Sequence, residues 1–470
     1  MTSAKQYVRL AILAASMVVA APVWAQSLDG IWRSEGYGYV FAVQGPSWKA
    51  LEVTATTCVP GFAATMEQEL APGREATFEA SGARKFFVRS RSSNDRKVLH
   101  FEGAASDMRM DRIAALPSVC NNTTSDTPEN NFEVFVRTWS EHYISFDLRH
   151  MNWETIVAES LPKISAKTTP IQLFDILEGI IAPLGDAHTR IRAPQIGRDF
   201  EGFRLGLKPS LPNAFEVTDR IYFKKPFERF CNDQVEYNWV DERIGYLRFL
   251  SFEGYTPMGD FESELACLEP ALDKIFQNKG IRALIIDVRV NTGGADPLGL
   301  AISSRLATKQ YLAYSKKARA DPVDRSKWTD QDPSMVVPSD RPGFKGPVVE
   351  LIGVSTVSAG ETFTQALMGR VPHVVRIGEN TQGVFSDILT RHLPNGWTFG
   401  LPNEVFLTPN GKAFDGVGIP PDIRVPVFAP ADLKAGRDPA LAAALKVLRE
   451  TLTPPRSRAT DREGSTSGIK

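Results

Sequence analysis

Apolar and polar residues change rhythm several times along this chain. Between residues 26 and 118, short apolar and aromatic runs recur at 37–43, 51–55, 85–89 and 98–101, with Gly, Pro, Ser and Asn between them. That pattern predicts a β-rich accessory unit of barrel or sandwich type. A polar stretch at 119–131 reads as a linker. Thr127-Pro128 then forms a helix cap and first turn. Phe132, Phe135, Trp139, Tyr143 and Phe146 follow at steps of three and four and line one helix face. Thr169-Pro170 repeats the start signal, and Ile171, Phe174, Leu177 and Ile181 repeat the apolar face up to Pro183-Leu184-Gly185. Residues 132–200 are therefore expected to be a helical unit, and 201–242 an irregular connecting segment.

From Ile244 the rhythm becomes that of an α/β protein. A strand is expected at 244–249. A helix is expected at 260–278, with Phe261, Leu265, Leu268, Leu272 and Ile275 on one side. The continuous apolar runs at 283–288 and 347–354 predict strands buried on both faces. Helices are expected at 297–306 and from Ser358 to about 368, and strands and turns from 374 to 427. A C-terminal helix at 428–453 and a polar, disordered tail at 454–470 complete the reading.

Composition narrows the class. The chain has 470 residues, 43% of them hydrophobic, enough for more than one core. Its formal net charge is −1, with no footprint for nucleic acid. At the start, Lys5 and Arg9 precede an apolar stretch at 10–23, and Val23-Trp24-Ala25 offers a small-x-small cleavage pattern. Residues 1–25 are read as a cleavable secretory signal, which predicts a periplasmic or secreted protein. The apolar run falls short of the roughly 20 residues that span a bilayer, so no stable membrane insertion is expected after cleavage. Gln26 follows the cut, so no lipid anchor is implied. Cys58, Cys120, Cys231 and Cys267 suggest disulfides in an oxidising compartment. Three connectivities are open, of which Cys58–Cys120 with Cys231–Cys267 is the local one. No Cys/His spacing fits a metal site, and no cofactor is expected.

Four segments carry candidate chemistry, and each has a plain structural alternative. In Val354-Ser355-Thr356-Val357-Ser358-Ala359-Gly360-Glu361, a buried strand turns tightly into a helix and can expose Ser358 at the helix N-terminus, where the helix dipole and free amides favour negative charge. The alternative is a capping box between Ser358 and Glu361. Asp287 to Gly294 ends a buried strand in paired glycines whose amides could complete an oxyanion hole; an ordinary turn would look the same. Leu184-Gly185-Asp186-Ala187-His188 places a histidine in a turn after a helix, as a general base or a hydrogen-bonded loop residue. Asp415 and Asp422 lie in a Gly/Pro-rich loop, where they could orient an imidazole or bond their own backbone.

Taken in order, these segments resemble the serine peptidase family of C-terminal processing peptidases, the tricorn core and interphotoreceptor retinoid-binding proteins. The matching residues are Ile244 to Arg248, Ile285 to Arg289 with Asn291 and Gly293-Gly294, Ser358 to Glu361, Gly378-Glu379-Asn380-Thr381-x-Gly383, Thr408 to Gly411 and Gly418-Ile419-Pro420-Pro421-Asp422. The resemblance implies a crotonase-like α/β core with spiralling β-structure over 243–427, preceded by the helical unit. It implies Ser358 as nucleophile, with Ala359 and Gly293 or Gly294 as oxyanion donors. Processing peptidases of this family pair the serine with a lysine after Gly378-Glu379, but 380–387 holds no lysine, and Gly383 and Val384 stand there. The tricorn-like branch uses a histidine and an acid that correspond to His188 and Asp415; Glu379 is another candidate acid. Ala187 replaces a serine found in that branch. Segment 191–242 looks too short and irregular for the substrate-binding PDZ domain that many relatives carry. The expected function is an exported endopeptidase acting on peptides or proteins through an acyl-enzyme. The rivals are a binding protein for an apolar ligand and an esterase on the same fold.

Overall fold

The computed structural model describes residues 28–69, 75–80, 84–90, 95–207 and 214–453. The signal assigned to 1–25 and the tail assigned to 454–470 lie outside them. Eight strands, from Gly30–Ser34 to Met108–Ile113, pair antiparallel in sequence order and close into a barrel, with Ile31 opposite Ile113. Strand alternation fills the barrel: in Ser47–Val53, Trp48, Ala50 and Glu52 are buried while Ser47 and Lys49 face out. Trp48, Phe78 and Phe86 stack inside with centroids 5.0–5.1 Å apart. A Cys58–Cys120 disulfide ties the barrel to the chain leading into the first helix.

That helix, Pro128–His142, starts where expected: the Thr127 hydroxyl accepts the Asn130 amide. Pro170–Ile181 starts with a full capping box between Thr169 and Gln172. Phe174 and Leu177 are buried, but Ile171, expected on the same face, is 56% exposed, because it sits in the first turn where the helix stands clear of its neighbours. The helices pack on a four-stranded sheet ordered Arg198–Glu201, Arg190–Ala193, Thr398–Pro402, Ile388–His392. Their apolar faces and the barrel interior form one continuous hydrophobic cluster.

The main sheet has seven strands, ordered Glu228–Phe230, Val235–Trp239, Ile244–Phe249, Ala283–Asp287, Val348–Ile352, Val375–Gly378 and Ile423–Arg424. From Ile244–Phe249 onward all neighbours are parallel. The helices Phe261–Phe276 and Ala359–Leu367 bury their apolar faces on one side, and Pro439–Leu452 covers the other. Segment 201–242 is more regular than expected. It holds the helix Phe215–Tyr222 and two antiparallel strands that extend the sheet. Its strand Val235–Trp239 escapes the apolar pattern because it buries polar side chains that find partners: Glu236 pairs with Arg248 at 2.7 Å, and Asn238 donates to the Lys225 carbonyl at 2.8 Å. A Cys231–Cys267 disulfide joins this edge to the helix. A small sheet of Asp332–Val336, Tyr311–Ala318 and Glu404–Leu407 completes the fold.

Candidate active site

Ser358 stands at the end of the turn that follows Val348–Ile352. Thr356 fixes that turn: its hydroxyl donates to the Val288 carbonyl at 2.8 Å and accepts the Gly353 amide at 3.1 Å. Ser358 itself has φ 55° and ψ −121°, a conformation sparsely populated by residues with a Cβ. Its carbonyl opens the helix by accepting the amides of Glu361 at 2.7 Å and Thr362 at 3.0 Å, but its side chain makes no capping bond. The capping-box alternative therefore fails. The buried Glu361 carboxylate instead accepts the amides of Gly383 at 2.7 Å and Val384 at 2.8 Å. The Ser358 hydroxyl is left without a structural role.

The glycine turn leaves the neighbouring parallel strand, Ala283–Asp287, at its C-terminal end, the edge where parallel sheets assemble ligand sites. Asn291 locks it to the serine turn. Its carbonyl accepts the Val357 amide at 3.0 Å, and its side chain accepts the Gly293 amide at 3.0 Å and donates to the Phe249 carbonyl at 3.1 Å. A Cβ on Gly293 would stand 2.7 Å from the Ser358 Cβ, so only glycine allows this approach. The candidate oxyanion donors separate here. The Gly293 amide is committed to Asn291, whereas among the described residues the amides of Gly294 and Ala359 make no hydrogen bond.

His188 follows the αL turn at Gly185 and precedes the strand Arg190–Ala193. Asp186 holds its backbone, accepting the His188 amide at 3.0 Å, and is held by the Tyr143 hydroxyl at 3.0 Å and by Arg149 at 3.3 Å. Burial pushes the imidazole below its ordinary pKa, against the pull of Asp186, Asp387 and the Ser386 backbone. The neutral imidazole, the form a general base needs, is thus favoured. Its Nδ1 is buried without a hydrogen-bond partner.

Asp415 is not hydrogen-bonded to that imidazole. Its Oδ2 is likewise buried and unpartnered, while the Phe385 backbone bonds the carboxyl. Burial, reinforced by Asp186, pushes Asp415 up to about 7. Burial also raises Glu361 to about 8, with Asp415 adding to the effect. Glu379 is half-buried, and its carboxylate makes no hydrogen bond among the described residues. Asp422 lies apart, holding the Arg376 amide and guanidinium at 2.8 and 2.6 Å.

One stretch of chain, 381–387, touches Ser358, Glu361, Asp415 and His188. The Val384 carbonyl accepts the Ser358 amide at 3.2 Å. The Gly383 carbonyl accepts the Gly416 amide at 2.8 Å, and the Phe385 and Ser386 backbones reach Asp415 and His188. This is the stretch that lacks a lysine. Sequence reasoning missed Asp186 as the anchor of the His188 turn, Glu361 as the support of the bridging stretch, and Asp387. The Asp-x-His and Ser-x-x-Glu spacings were visible signals for the first two. Asp387 had none, since its partner Lys316 lies far away in sequence, at 2.5 Å in space.

Comparison with known proteins places this geometry. Residues 243–425 match the model of peptidase family S41. A carboxy-terminal-processing protease of Bartonella bacilliformis is 25% identical over 186 residues, which is 40% of this chain; the chain spans 39% of the length of that relative. A crystal structure from Parabacteroides merdae, provisionally assigned as a peptidase, shares 25% identity with a TM-score of 0.59, covering 69% of this chain and 97% of the other. Mature CPAF complexed with lactacystin shares the fold at 12% identity and a TM-score of 0.51, over 69% of this chain and 98% of its own. The likeness to peptidase family S41 lies in residues 243–425, the part of the chain that carries Ser358 and the glycine turn.

Proposed function

We propose that this protein is an exported serine endopeptidase that hydrolyses peptide bonds through an acyl-enzyme on Ser358. His188 takes the hydroxyl proton as Ser358 attacks the carbonyl, and later returns it to the leaving amine. Asp415 orients and stabilises the imidazolium once substrate draws the site together, since catalytic hydrogen bonds often tighten only in the complex. The amides of Ala359 and Gly294 receive the oxyanion, each worth roughly 3–4 kcal/mol of barrier. The core is of the crotonase-like, spiralling type.

The observation that carries this reading is the state of Ser358. A residue with a Cβ is held at positive φ, its hydroxyl is excused from capping, and two unbonded amides flank it. Strain of this kind persists where the surroundings over-determine it, and it clusters at reacting groups. Two disulfides with no free cysteine among the described residues favour an oxidising compartment, in line with export. A fluorophosphonate probe tests the assignment. It should label the folded protein at Ser358, and Ser358→Ala should abolish both labelling and peptide hydrolysis; a folded wild-type protein that resists the probe would refute the nucleophile.

A further inference from the structure

A cavity of about 490 Å³ lies between the barrel and the peptidase core, within the size range of ligand sites. On the barrel side Tyr39, Phe62, Leu99, Phe101 and Met108 line it. On the core side it is bounded by the strand Ile388–His392, with Asp387 and Arg190 at the end nearest His188. Arg190 is two residues beyond His188, and the charge of Asp387 acts on the imidazole. The cavity lining thus reaches neighbours of the candidate base, without including His188 itself.

Three observations describe what would fit. First, Ile388–His392 is an edge strand. Its outward groups face the barrel: the Glu52 carboxylate accepts the His392 amide at 2.8 Å, and the Tyr39 hydroxyl donates to the Thr390 carbonyl at 3.4 Å. Ile388 and the Thr390 amide share that parity and point the same way, leaving an edge on which another strand can pair. Second, the lining is apolar with an excess of acid. His392 pairs with Glu52 at 2.8 Å, and Lys316 is shared by Asp387 at 2.5 Å and Glu404 at 3.2 Å. Glu102 has no ion pair among the described residues; Asp260 and Glu262 lie close enough to add negative charge, with Lys85 opposing them. Third, Asn403 lines the cavity, is 1% exposed, and its Nδ2 has no hydrogen-bond partner. Native interiors rarely leave such a donor orphaned.

We propose that this cavity is an extended substrate subsite that receives a strand of polypeptide bearing apolar and basic side chains, paired at Ile388 and the Thr390 amide and leading towards Ser358. The proposal rests on the peptidase reading for its direction of travel, but not for its binding. The aromatic wall takes the apolar side chains, and the acidic mouth at Glu102 takes the basic ones.

The test uses the full chain as Ser358→Ala, which cannot turn substrate over, and a fluorescein-labelled ten-residue peptide of alternating Leu and Lys read by anisotropy. The same peptide with Glu in place of Lys should bind at least tenfold more weakly. Ala80→Trp, on an inward-facing barrel position that lines the cavity, should weaken the Leu/Lys peptide at least tenfold. Glu102→Lys should shift preference towards the Leu/Glu peptide, a gain that misfolding cannot imitate. Equal affinity for both peptides, unchanged binding in both variants, or binding of oleate with no binding of either peptide overturns the proposal. Fluorophosphonate labelling of the wild-type protein reports separately on the serine, so either idea can fail alone.

Discussion

At the scale of single residues, the centre is defined by close approach and by burial. Gly293 illustrates the first. Its φ of +93° and the 2.7 Å gap to the Ser358 Cβ leave no room for a side chain. Gly293→Ala should cost about 1–3 kcal/mol of stability. It should also slow fluorophosphonate labelling at least a hundredfold, because the clash falls on the nucleophile itself; labelling at the wild-type rate would show that the turn yields freely. Asp415 illustrates burial. Burial first, and Asp186 second, raise it to about 7, while burial holds His188 below its ordinary value. If the ionised carboxylate is the working form, kcat/KM must rise with pH through about 7, above the point where His188 loses its proton. Asp415→Asn should lower kcat/KM by roughly 10³-fold. It should also remove the rise near 7, leaving only the lower limb of His188. A pH–rate profile checks this, and an unmoved limb would assign it to another group.

At the scale of elements, the stretch 381–387 does work that its composition conceals. It contains no lysine, yet it accepts the Ser358 amide and touches both His188 and Asp415. Glu361 supports it from inside the helix through two backbone amides. Each buried amide left without its partner costs about 1–3 kcal/mol. Glu361→Ala should therefore cost several kcal/mol and speed hydrogen exchange at Gly383 and Val384 far more than in the sheet strands. Exchange that stays protected at those two amides would mean the stretch holds itself.

The same element shows what the sequence could and could not tell. The buried parallel strands were legible as unbroken apolar runs, and the helix starts as Thr-Pro pairs. The strand Val235–Trp239 was not, because Glu236 and Asn238 sit inside it and are satisfied by Arg248 and Lys225, contacts that no local pattern reveals. The spacing of Glu361 from Ser358 allows a cap partner as one alternative, whereas the amides its carboxyl holds lie more than twenty residues away. Spacing reports local geometry; long-range polar pairing overrides it without leaving a trace in the rhythm.

At the scale of the whole molecule, covalent links hold the parts that sequence rhythm separates. Cys58–Cys120 closes a loop of 62 residues, and Cys231–Cys267 one of 36. Chain-entropy estimates give about 4 kcal/mol for each, slightly more for the longer loop. Reduction, or Cys58→Ala with Cys120→Ala, should lower the Tm measurably by calorimetry. An unchanged Tm would mean that the barrel is anchored wholly by its packing.

The arrangement of hydrophobic clusters has a further consequence. His188 lies between Leu184 and Ile191, in the interior shared by the barrel and helices, while Ser358 borders Ala359, in the interior beneath the main sheet. His188 and Ser358 thus belong to two separately packed hydrophobic clusters. If the two act together as proposed, loosening either cluster parts them, and hydrolysis should last only as long as the weaker half stays folded. A partly loosened chain would then fall silent before it came apart.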